Sequence, residues 1–355
     1  MKKLIKFIIL VCILCVTILV AAYFYLISSH GNYEKVIINV SKGATYNSIS
    51  NILKEKGLIK SEFAYKIYIK FNNPKNLEHG NYILNKHDNV KELINTLEKG
   101  SVNLNETKRV TFVEGKNMRY IISKISNEFN IKEDEVLNKL KDVSYLDSLI
   151  EKYWFLTDEI KNKDIYYSLE GYLFPDTYEF YTNASIEDIF NTMLNNMQRK
   201  LEPYKDKINN NKYSIHQMLT LSSIIELEAS NAGDRKGVAG VFYNRINNGW
   251  SLGSDVTTYY AEKIDNYLRD LKMSELNRCN AYNTRSSCMS GKLPVGPICN
   301  PGIKSIEASI TPTTHNYYYF VADKNGKTYF SKTDNEHVKT VSKLKKDGLW
   351  INYEN

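Results

Sequence analysis

The chain has 355 residues, enough for two or three domains that each bury an apolar core. Hydrophobic residues make up 43% of it, an ordinary share for a globular protein, which excludes wholesale disorder. The formal net charge of +7 is spread along the chain without a long basic tract, so the sequence gives no support to nucleic acid binding.

The first thirty residues predict a membrane anchor. An uncharged apolar run extends from Phe7 to Ile27, and as a helix it would reach about 31 Å, enough to cross a bilayer core. Three lysines precede the run, so the N-terminus should stay in the cytoplasm while the rest is exported. A cleaved signal peptide is the alternative, but its apolar core is shorter and does not end in aromatic residues. We therefore expect a single-pass protein of the cell membrane, with residues 1–28 as cytoplasmic end and anchor.

Beyond the anchor, alternating apolar residues at 35–40 predict a strand, followed by a turn at Gly43 and a helix. A related strand–turn–helix pattern recurs 72 residues further on, where Gly115 occupies the place of Gly43. Two copies are too few for a solenoid. Chance similarity between two small α/β units is the alternative.

The C-terminal part is predicted to be mainly helical. Segment 116–162 has helical periodicity, and 185–230 contains two long helices. Near the end, two aromatic-rich runs flank Asn325 and Gly326, which is a strong hairpin signal. The expected fold class is α+β: one transmembrane helix, a small α/β region and a larger, mainly helical domain that ends in a β-hairpin.

Two glutamates, Glu226 and Glu228, lie in the apolar run SSIIELEAS at 222–230. On a helix they point about 200° apart, and Glu228 continues the apolar stripe while Glu226 lies toward its edge. Apolar surroundings disfavour the charged carboxylate and raise its pKa, which a general acid working near neutral pH requires. The alternative is a buried glutamate paired with an arginine such as Arg235 or Arg245.

Two further regions have the composition of a carbohydrate groove. Seven aromatic residues lie within 166–181, together with acidic side chains, and flat rings can stack on sugar faces while carboxylates bind hydroxyls. A packed aromatic loop is the alternative. Downstream, 247–261 and 281–302 are rich in Gly, Asn, Thr and Pro, as loops that carry functional groups often are, although many loops only connect elements.

Seven motifs occur in order along the chain: LEGYLFPDTY, SSIIELEA, VFYNRI, SDVTTYYA, AYNT, LPVGPICNPG and YYYFVADKNGKTYFS. Together they resemble the YceG-like family of endolytic murein transglycosylases. The resemblance covers the anchor, an N-terminal region and the whole C-terminal half. It implies a LysM-like α/β domain at 29–105 and a catalytic domain at 106–355, of which 106–165 resembles the first domain. It also implies that Glu228 is the single catalytic acid/base.

The implied reaction cleaves the β-1,4 bond from N-acetylmuramic acid to N-acetylglucosamine in nascent peptidoglycan. Protonated Glu228 would give its proton to the glycosidic oxygen, and the carboxylate would then take the proton of the muramic C6 hydroxyl. That hydroxyl attacks C1 within the same sugar and leaves a 1,6-anhydro end. A hydrolase would ordinarily need a second carboxylate.

The predicted substrate-binding residues are polar or aromatic and lie in the motif regions. They are Asp255, Tyr282, Asn283, Thr284 and Asn300, with Glu170, Asp176 and Tyr178 expected to shape the groove. Asn and Asp in such loops often only form turns, and this is the alternative role for the first group.

The sequence departs from the family at Val256 and Val295, where proline is usual, and in a longer loop after Asn283. That loop brings Cys288, which could form a disulfide with Cys279 in an oxidising exterior. With Cys299 there are three cysteines beyond the anchor, so at least one stays free or pairs elsewhere. The sequence leaves this pairing open.

Two other classes of protein are alternatives. A non-catalytic wall-binding scaffold of the same fold would have no reason to bury an acid. An anchored esterase or metallopeptidase would carry GxSxG or HExxH, and neither motif occurs. We expect no cofactor and no metal. The resemblance implies peptidoglycan strands as substrate and the cell-wall elongation and division machinery as partner.

Overall fold

The structure is a computed structural model and describes residues 2–29, 31–75, 77–101, 106–229, 233–267 and 269–350. The chain divides into two units. The first comprises Met1–Lys108 with Tyr181–Asn183, and the second comprises Arg109–Phe180 with Ala184–Asn355. The mixture of helices and small sheets confirms the predicted α+β class.

The first unit begins with helix α1 (Lys2–Ile27), which is long and apolar enough from Lys6 onward to cross a membrane. Strands β1 (Lys35–Val40) and β2 (Gly80–Asn85) pair antiparallel. Three helices share one apolar core with these strands: α2 (Ser50–Glu55), α3 (Glu62–Asn72) and α4 (Val90–Glu98). The LysM-like character of this unit stays a prediction.

Helix α3 shows how local sequence sets an element and its buried face. Its N-cap Ser61 accepts a hydrogen bond from the Ala64 N–H, and the chain leaves the helix at Asn73, which is in the left-handed region with φ +43°. Ala64, Tyr65 and Ile69 point into the core. The remaining positions lie on or near the surface.

The second unit is mainly helical, as the sequence predicts. Its helices are α5 (Met118–Phe129), α6 (Glu133–Lys141), α7 (Val143–Lys152), α8 (Ile186–Leu201), α9 (Lys205–Asn209), α10 (Ile215–Glu228), α11 (Arg235–Asn247), α12 (Asp255–Ala261), α13 (Met273–Leu276), α14 (Ile303–Ile310) and α15 (Asp334–Lys346). Short 3-10 turns occur at Asp158–Lys161, Glu202–Tyr204 and Ser287–Met289.

Two strand pairs complete the described structure. Strand β3 (Thr107–Thr111) pairs with β4 (Thr177–Tyr181). Strands β5 (Tyr319–Ala322) and β6 (Thr328–Ser331) form an antiparallel hairpin in which Phe320 lies opposite Phe330. The predicted C-terminal hairpin is thereby confirmed.

Helix α10 lies at the centre of the second unit and is buried on every side from Met218 to Glu226. The sequence predicts one apolar stripe for this helix, and this prediction is wrong for α10. Glu226, expected at the edge of the stripe, is only 8% exposed, whereas Glu228 at the helix end is partly exposed. Periodicity alone therefore cannot assign roles to the two glutamates.

Three polar side chains of α10 bind the irregular segment 295–302, whose backbone groups cannot pair with one another as they would in a helix or sheet. The contacts join His216 Nε2 to the Val295 carbonyl at 2.8 Å, Ser223 Oγ to the Ile298 N–H at 3.0 Å and Glu226 Oε2 to the Gly302 N–H at 3.0 Å. The polar residues in this helix thus serve a structural purpose.

Gly171 approaches the same segment, and only a glycine fits there. Its φ is +83°, and a Cβ added to it would lie 2.3 Å from Pro297 Cβ. Gly171→Ala should lower the free energy of unfolding by about 2–5 kcal/mol, through the left-handed backbone and the clash together.

Gly249→Ala is the matched control, because Gly249 has φ +71° and no atom within 4 Å of an added Cβ. It should cost only the backbone penalty of about 1–2 kcal/mol. Urea denaturation of the detergent-solubilised protein would measure both losses. Equal losses would show that contact with Pro297 does not restrict Gly171.

Candidate active site

Glu228 is the last residue of α10, and its Oε1 accepts a hydrogen bond from Ser254 Oγ at 2.5 Å. Burial among protein atoms raises the pKa of Glu228, and the nearby charge of Asp255 raises it further. The Ser254 hydroxyl and the guanidinium groups of Arg245 and Arg285 act in the opposite direction. The C-terminal end of a helix also disfavours a negative charge, so the position of Glu228 and its burial both favour a raised pKa.

The arginines near the Glu228 carboxyl bind other groups. Arg245 Nε and Nη1 donate to the carbonyls of Tyr318 and Leu252, each at 2.7 Å. Arg285 pairs with Asp255, with Nε and Oδ1 3.1 Å apart. Within the described part of the chain, no cation lies within ion-pair distance of the Glu228 carboxyl. The structural ion pair considered from the sequence is therefore not formed there.

Ser254 occupies the N-cap position of α12, but its hydroxyl does not cap that helix. A serine at this position normally accepts a hydrogen bond from a backbone N–H of the first turn. Here the hydroxyl donates to Glu228 instead. Ser254 is not among the site residues predicted from the sequence. Its place directly before Asp255 in the motif SDVTTYYA was the available signal.

Two buried threonines position Ser254 through hydrogen bonds to its backbone. Its backbone N–H donates to Thr284 Oγ1 at 3.1 Å, and its carbonyl accepts from Thr257 Oγ1 at 2.6 Å. The two threonine hydroxyls lie 2.8 Å apart. Thr284, predicted to contact substrate, is fully buried and bonded to protein groups. It fixes the residue that contacts Glu228.

Tyr282 and Asn283, also predicted to bind substrate, are fully buried. The Tyr282 ring packs against Tyr166 and Tyr260, with centroids 4.7 and 4.9 Å away. Asn283 Nδ2 donates to three backbone carbonyls within 275–278, at 2.8–3.1 Å. Both side chains stabilise the loop that carries Thr284.

Asn300 and Glu170 form a second buried polar network. Asn300 Nδ2 donates to Glu170 Oε1 at 3.1 Å, and its Oδ1 accepts from two backbone N–H groups within 171–173. Glu170 Oε2 accepts from the Met118 N–H at 2.8 Å and from the Tyr260 hydroxyl at 3.1 Å. Burial raises the pKa of Glu170 to about 8. This network joins four distant parts of the chain.

The last two predicted residues lie beside each other but differ in exposure. Tyr178 is 8% exposed and its hydroxyl donates to the Phe174 carbonyl at 2.6 Å. Asp176 is exposed and accepts from Asn196 Nδ2 at 3.0 Å. Of the eight predicted substrate-binding residues, Asp176 and Asp255 are the two with exposed side chains.

Cys279 and Cys288 form a disulfide, with Cα atoms 5.9 Å apart, and Cys299 is a buried free thiol. The sequence left this pairing open. The disulfide closes a ring that contains Asn283, Thr284 and Arg285, so the loop that supports Ser254 and pairs with Asp255 is covalently closed. Arg285 was also missed from the sequence.

The sequence model of the YceG-like family matches residues 38–343, most of the chain. The chain belongs to the YceG-like family. This YceG-like chain is 36% identical over 313 residues to the endolytic murein transglycosylase of Bacillus subtilis (strain 168). The aligned region covers 87% of this chain and 84% of the relative.

A second relative is the endolytic murein transglycosylase of Streptococcus pneumoniae serotype 2 (strain D39). It is 30% identical over 324 residues, 86% of this YceG-like chain and 58% of the relative. A crystal structure of a YceG-like protein from Listeria monocytogenes matches with a TM-score of 0.60 and 34% identity. That match covers 87% of this chain and 100% of the Listeria chain.

The raised pKa of buried Glu170 predicts how the stability of the folded protein depends on pH. Its pKa is about 8 in the folded protein against a usual 4.5, so folding takes up a proton between these values. The stabilisation by this proton is complete below about pH 4.5 and is lost as the pH rises through about 8.

We therefore expect the wild type to lose stability relative to Glu170→Gln as the pH rises from about 5 to about 8. Urea denaturation at several pH values would measure the difference. Glu151→Gln, at an exposed glutamate, is the control for removal of a negative charge. If the free energies of unfolding of the wild type and of Glu170→Gln changed in parallel with pH, the prediction would be contradicted.

Proposed function

We propose that this protein is a membrane-anchored endolytic transglycosylase that cleaves the glycan strands of nascent peptidoglycan. Membership of a family whose curated members are endolytic murein transglycosylases makes it a lytic transglycosylase acting on peptidoglycan. One observation in particular supports Glu228 as the acid: a carboxyl with a raised pKa, outside any ion pair in the described chain, bound by the Ser254 hydroxyl.

In the first step, Glu228 acts as general acid. Its raised pKa increases the protonated fraction of the carboxyl, which can then give a proton to the oxygen between N-acetylmuramic acid and N-acetylglucosamine. The Ser254 hydroxyl donates to Oε1, which leaves Oε2 to carry the transferable proton. As the bond from C1 to this oxygen breaks, the negative charge that forms on Glu228 is stabilised by Ser254.

In the second step, the same carboxylate acts as general base. It takes the proton of the muramic C6 hydroxyl as that oxygen forms a bond to C1 of its own sugar. The product is a 1,6-anhydro end, and Glu228 regains its proton without consumption of water. The nucleophile belongs to the substrate, so its proximity replaces the second protein carboxylate that a hydrolase uses.

The remaining site residues divide by exposure. Asp255 and Asp176 are the proposed glycan contacts, and the charge of Asp255 also helps to keep the Glu228 pKa high. The buried residues are proposed to position the site rather than to touch the glycan: Glu170, Tyr178, Tyr282, Asn283, Thr284 and Asn300. Their polar atoms are occupied by protein groups, as described above.

The proposed location follows from α1. Its apolar length is compatible with a single-pass anchor, and the lysines in its first turns, before the apolar run, favour a cytoplasmic N-terminus. The catalytic unit would then lie outside the membrane, near newly made strands. Binding of glycan by the LysM-like region and partnership with the cell-wall elongation and division machinery remain predictions from the family resemblance.

Two glutamine substitutions test the assignment of the acid. Glu228→Gln should lower the cleavage rate by about 10²–10⁴-fold, because the amide cannot transfer a proton. Glu226→Gln should keep most activity, because its amide oxygen can still accept the Gly302 N–H. Purified glycan strands would be digested with each protein and their ends identified by mass spectrometry, with 1,6-anhydro-muramic ends expected from the wild type.

The product ends also separate the alternatives. Reducing ends would mean a hydrolase, and a second carboxylate such as Asp255 or Asp176 would then be needed. No cleavage by the wild type, with glycan binding retained, would support the scaffold. If Glu226→Gln lost activity while Glu228→Gln kept it, Glu226 rather than Glu228 would be the acid.

Ser254→Ala tests the hydrogen bond that tunes the acid. Removing a donor to the carboxylate raises the Glu228 pKa, and a charged hydrogen bond of about 1.5–3 kcal/mol corresponds to roughly one or two pKa units. Since the acid must be protonated, the basic limb of the kcat/KM profile should move to higher pH by that amount. Ser254→Thr keeps the hydroxyl and should stay near the wild-type profile. An unmoved limb in Ser254→Ala would show that this bond does not control the acid.

A further inference from the structure

Helix α3 carries the two most exposed large hydrophobic side chains among the described residues outside α1. Phe63 is 74% exposed and Phe71 is 82% exposed, while the next, Met273, is 68% exposed. Lys66 and Lys70 are also exposed on this helix. Exposure of two phenylalanine side chains to water is unfavourable, and an exposed apolar surface of this kind often marks an interaction site.

These side chains share one face. At 100° per residue they fall within an arc of about 140°, opposite the residues that α3 buries in the core. We call this the outer face of α3, which consists of Phe63, Lys66, Ile67, Lys70 and Phe71. Apolar rings alternate on it with long basic side chains, as in helices that lie in a membrane interface.

Helix α3 packs against the last turn of α1. Tyr23, Leu26 and Ile27 are partly buried at the spacing of one helical face, and Ile27 packs against the core of the first unit. Phe24, between them, remains 62% exposed. The contact therefore reaches back to Tyr23, within the apolar stretch that could span the bilayer.

Lys60, just before α3, reinforces this junction. Its Nζ donates to the Tyr25 carbonyl at 3.0 Å and to Ser28 Oγ at 2.8 Å, and lies 4.2 Å from the centroid of the Tyr25 ring. The Tyr25 carbonyl at the end of α1 has no partner within its own helix, and Ser28 Oγ and Lys60 Nζ both donate to it. Residues 28–61 connect α1 to α3 along the chain, but direct packing and the bonds of Lys60 hold the end of α1 against α3. The position of α3 along the axis of α1 is therefore fixed.

We propose that the outer face of α3 rests on the outer surface of the membrane, with Phe63 and Phe71 at the boundary between headgroups and acyl chains. This inference rests on the proposed role of α1 as an anchor. Because α3 packs on residues of the span itself, it lies at the level where headgroups begin. Lys70 extends toward lipid phosphates while its stem covers apolar surface. Lys66 lies on the same face, and its Nζ donates to Glu62 Oε2 at 3.3 Å.

Lipid is favoured over a protein partner by continuity with α1. The membrane is the one surface that a helix fixed to the end of a membrane span must meet. The charges agree, because anionic headgroups attract the lysines of this face. The contact gives the first unit two attachments to the bilayer, one through the span and one along its surface.

The test uses the full chain in vesicles of phosphatidylcholine and phosphatidylglycerol, without bromine, with bromine on the acyl chains near the headgroup to report α3, and with bromine near the bilayer centre to report the middle of α1. Phe63→Trp and Phe71→Trp each add one fluorophore to the three native tryptophans. The added fluorescence should be lost in brominated vesicles. Leu14→Trp, in the middle of α1, reports the anchor, and Met273→Trp is the control at an exposed apolar position of the second unit.

The outcomes separate the two proposals. Quenching of Leu14→Trp and of both α3 variants, without quenching of Met273→Trp, is the expected result. Quenching of Leu14→Trp alone would overturn the surface contact and leave the anchor intact. Absence of quenching in Leu14→Trp would overturn the anchor and this inference together. Equal quenching at Met273 and at Phe71 would overturn the assignment of the contact to α3.

Discussion

The arrangement of the second unit depends on the hydrogen bonds from buried helix α10 to the irregular segment 295–302. Backbone groups of an irregular segment need partners when they are buried, and each one left without a partner costs about 1–3 kcal/mol. His216, Ser223 and Glu226 supply these partners along one side of the helix. The rotation of α10 about its axis is therefore fixed. That rotation directs Glu228, on another side, toward Ser254.

The two glutamates show how environment divides roles between identical side chains. Glu226 is buried and accepts a backbone N–H, so it acts as part of the framework. Glu228 lies at the helix end, where burial and the charge of Asp255 raise its pKa. A carboxyl that holds a fixed N–H is suited to structure, whereas one bound by a single hydroxyl can change its protonation state.

Periodicity predicted the long helices and the hairpin around Asn325 and Gly326, because their signals are local. It could not predict the surroundings of α10, since a helix buried on all sides has no amphipathic pattern. The predicted glycan contacts Asn283, Thr284 and Asn300 are buried because their loops need internal partners. A sequence shows that such a residue can form hydrogen bonds, but not whether a sugar or a backbone carbonyl is the partner. The role of Ser254 depends on a contact between residues 26 positions apart, which no local pattern contains.

The Cys279–Cys288 disulfide has a consequence for the loop that supports Ser254 beside Glu228. It closes a short ring around Thr284 and Arg285, and in a chain-entropy description such a closure stabilises the folded loop by about 2–3 kcal/mol. The ring has few alternative shapes to explore even when the surrounding structure fluctuates. In the proposed reaction, the loop behind Ser254 therefore reaches its working geometry with little loss of conformational freedom when a glycan strand binds. Part of the ordering that binding would otherwise demand is completed when the two sulfur atoms join.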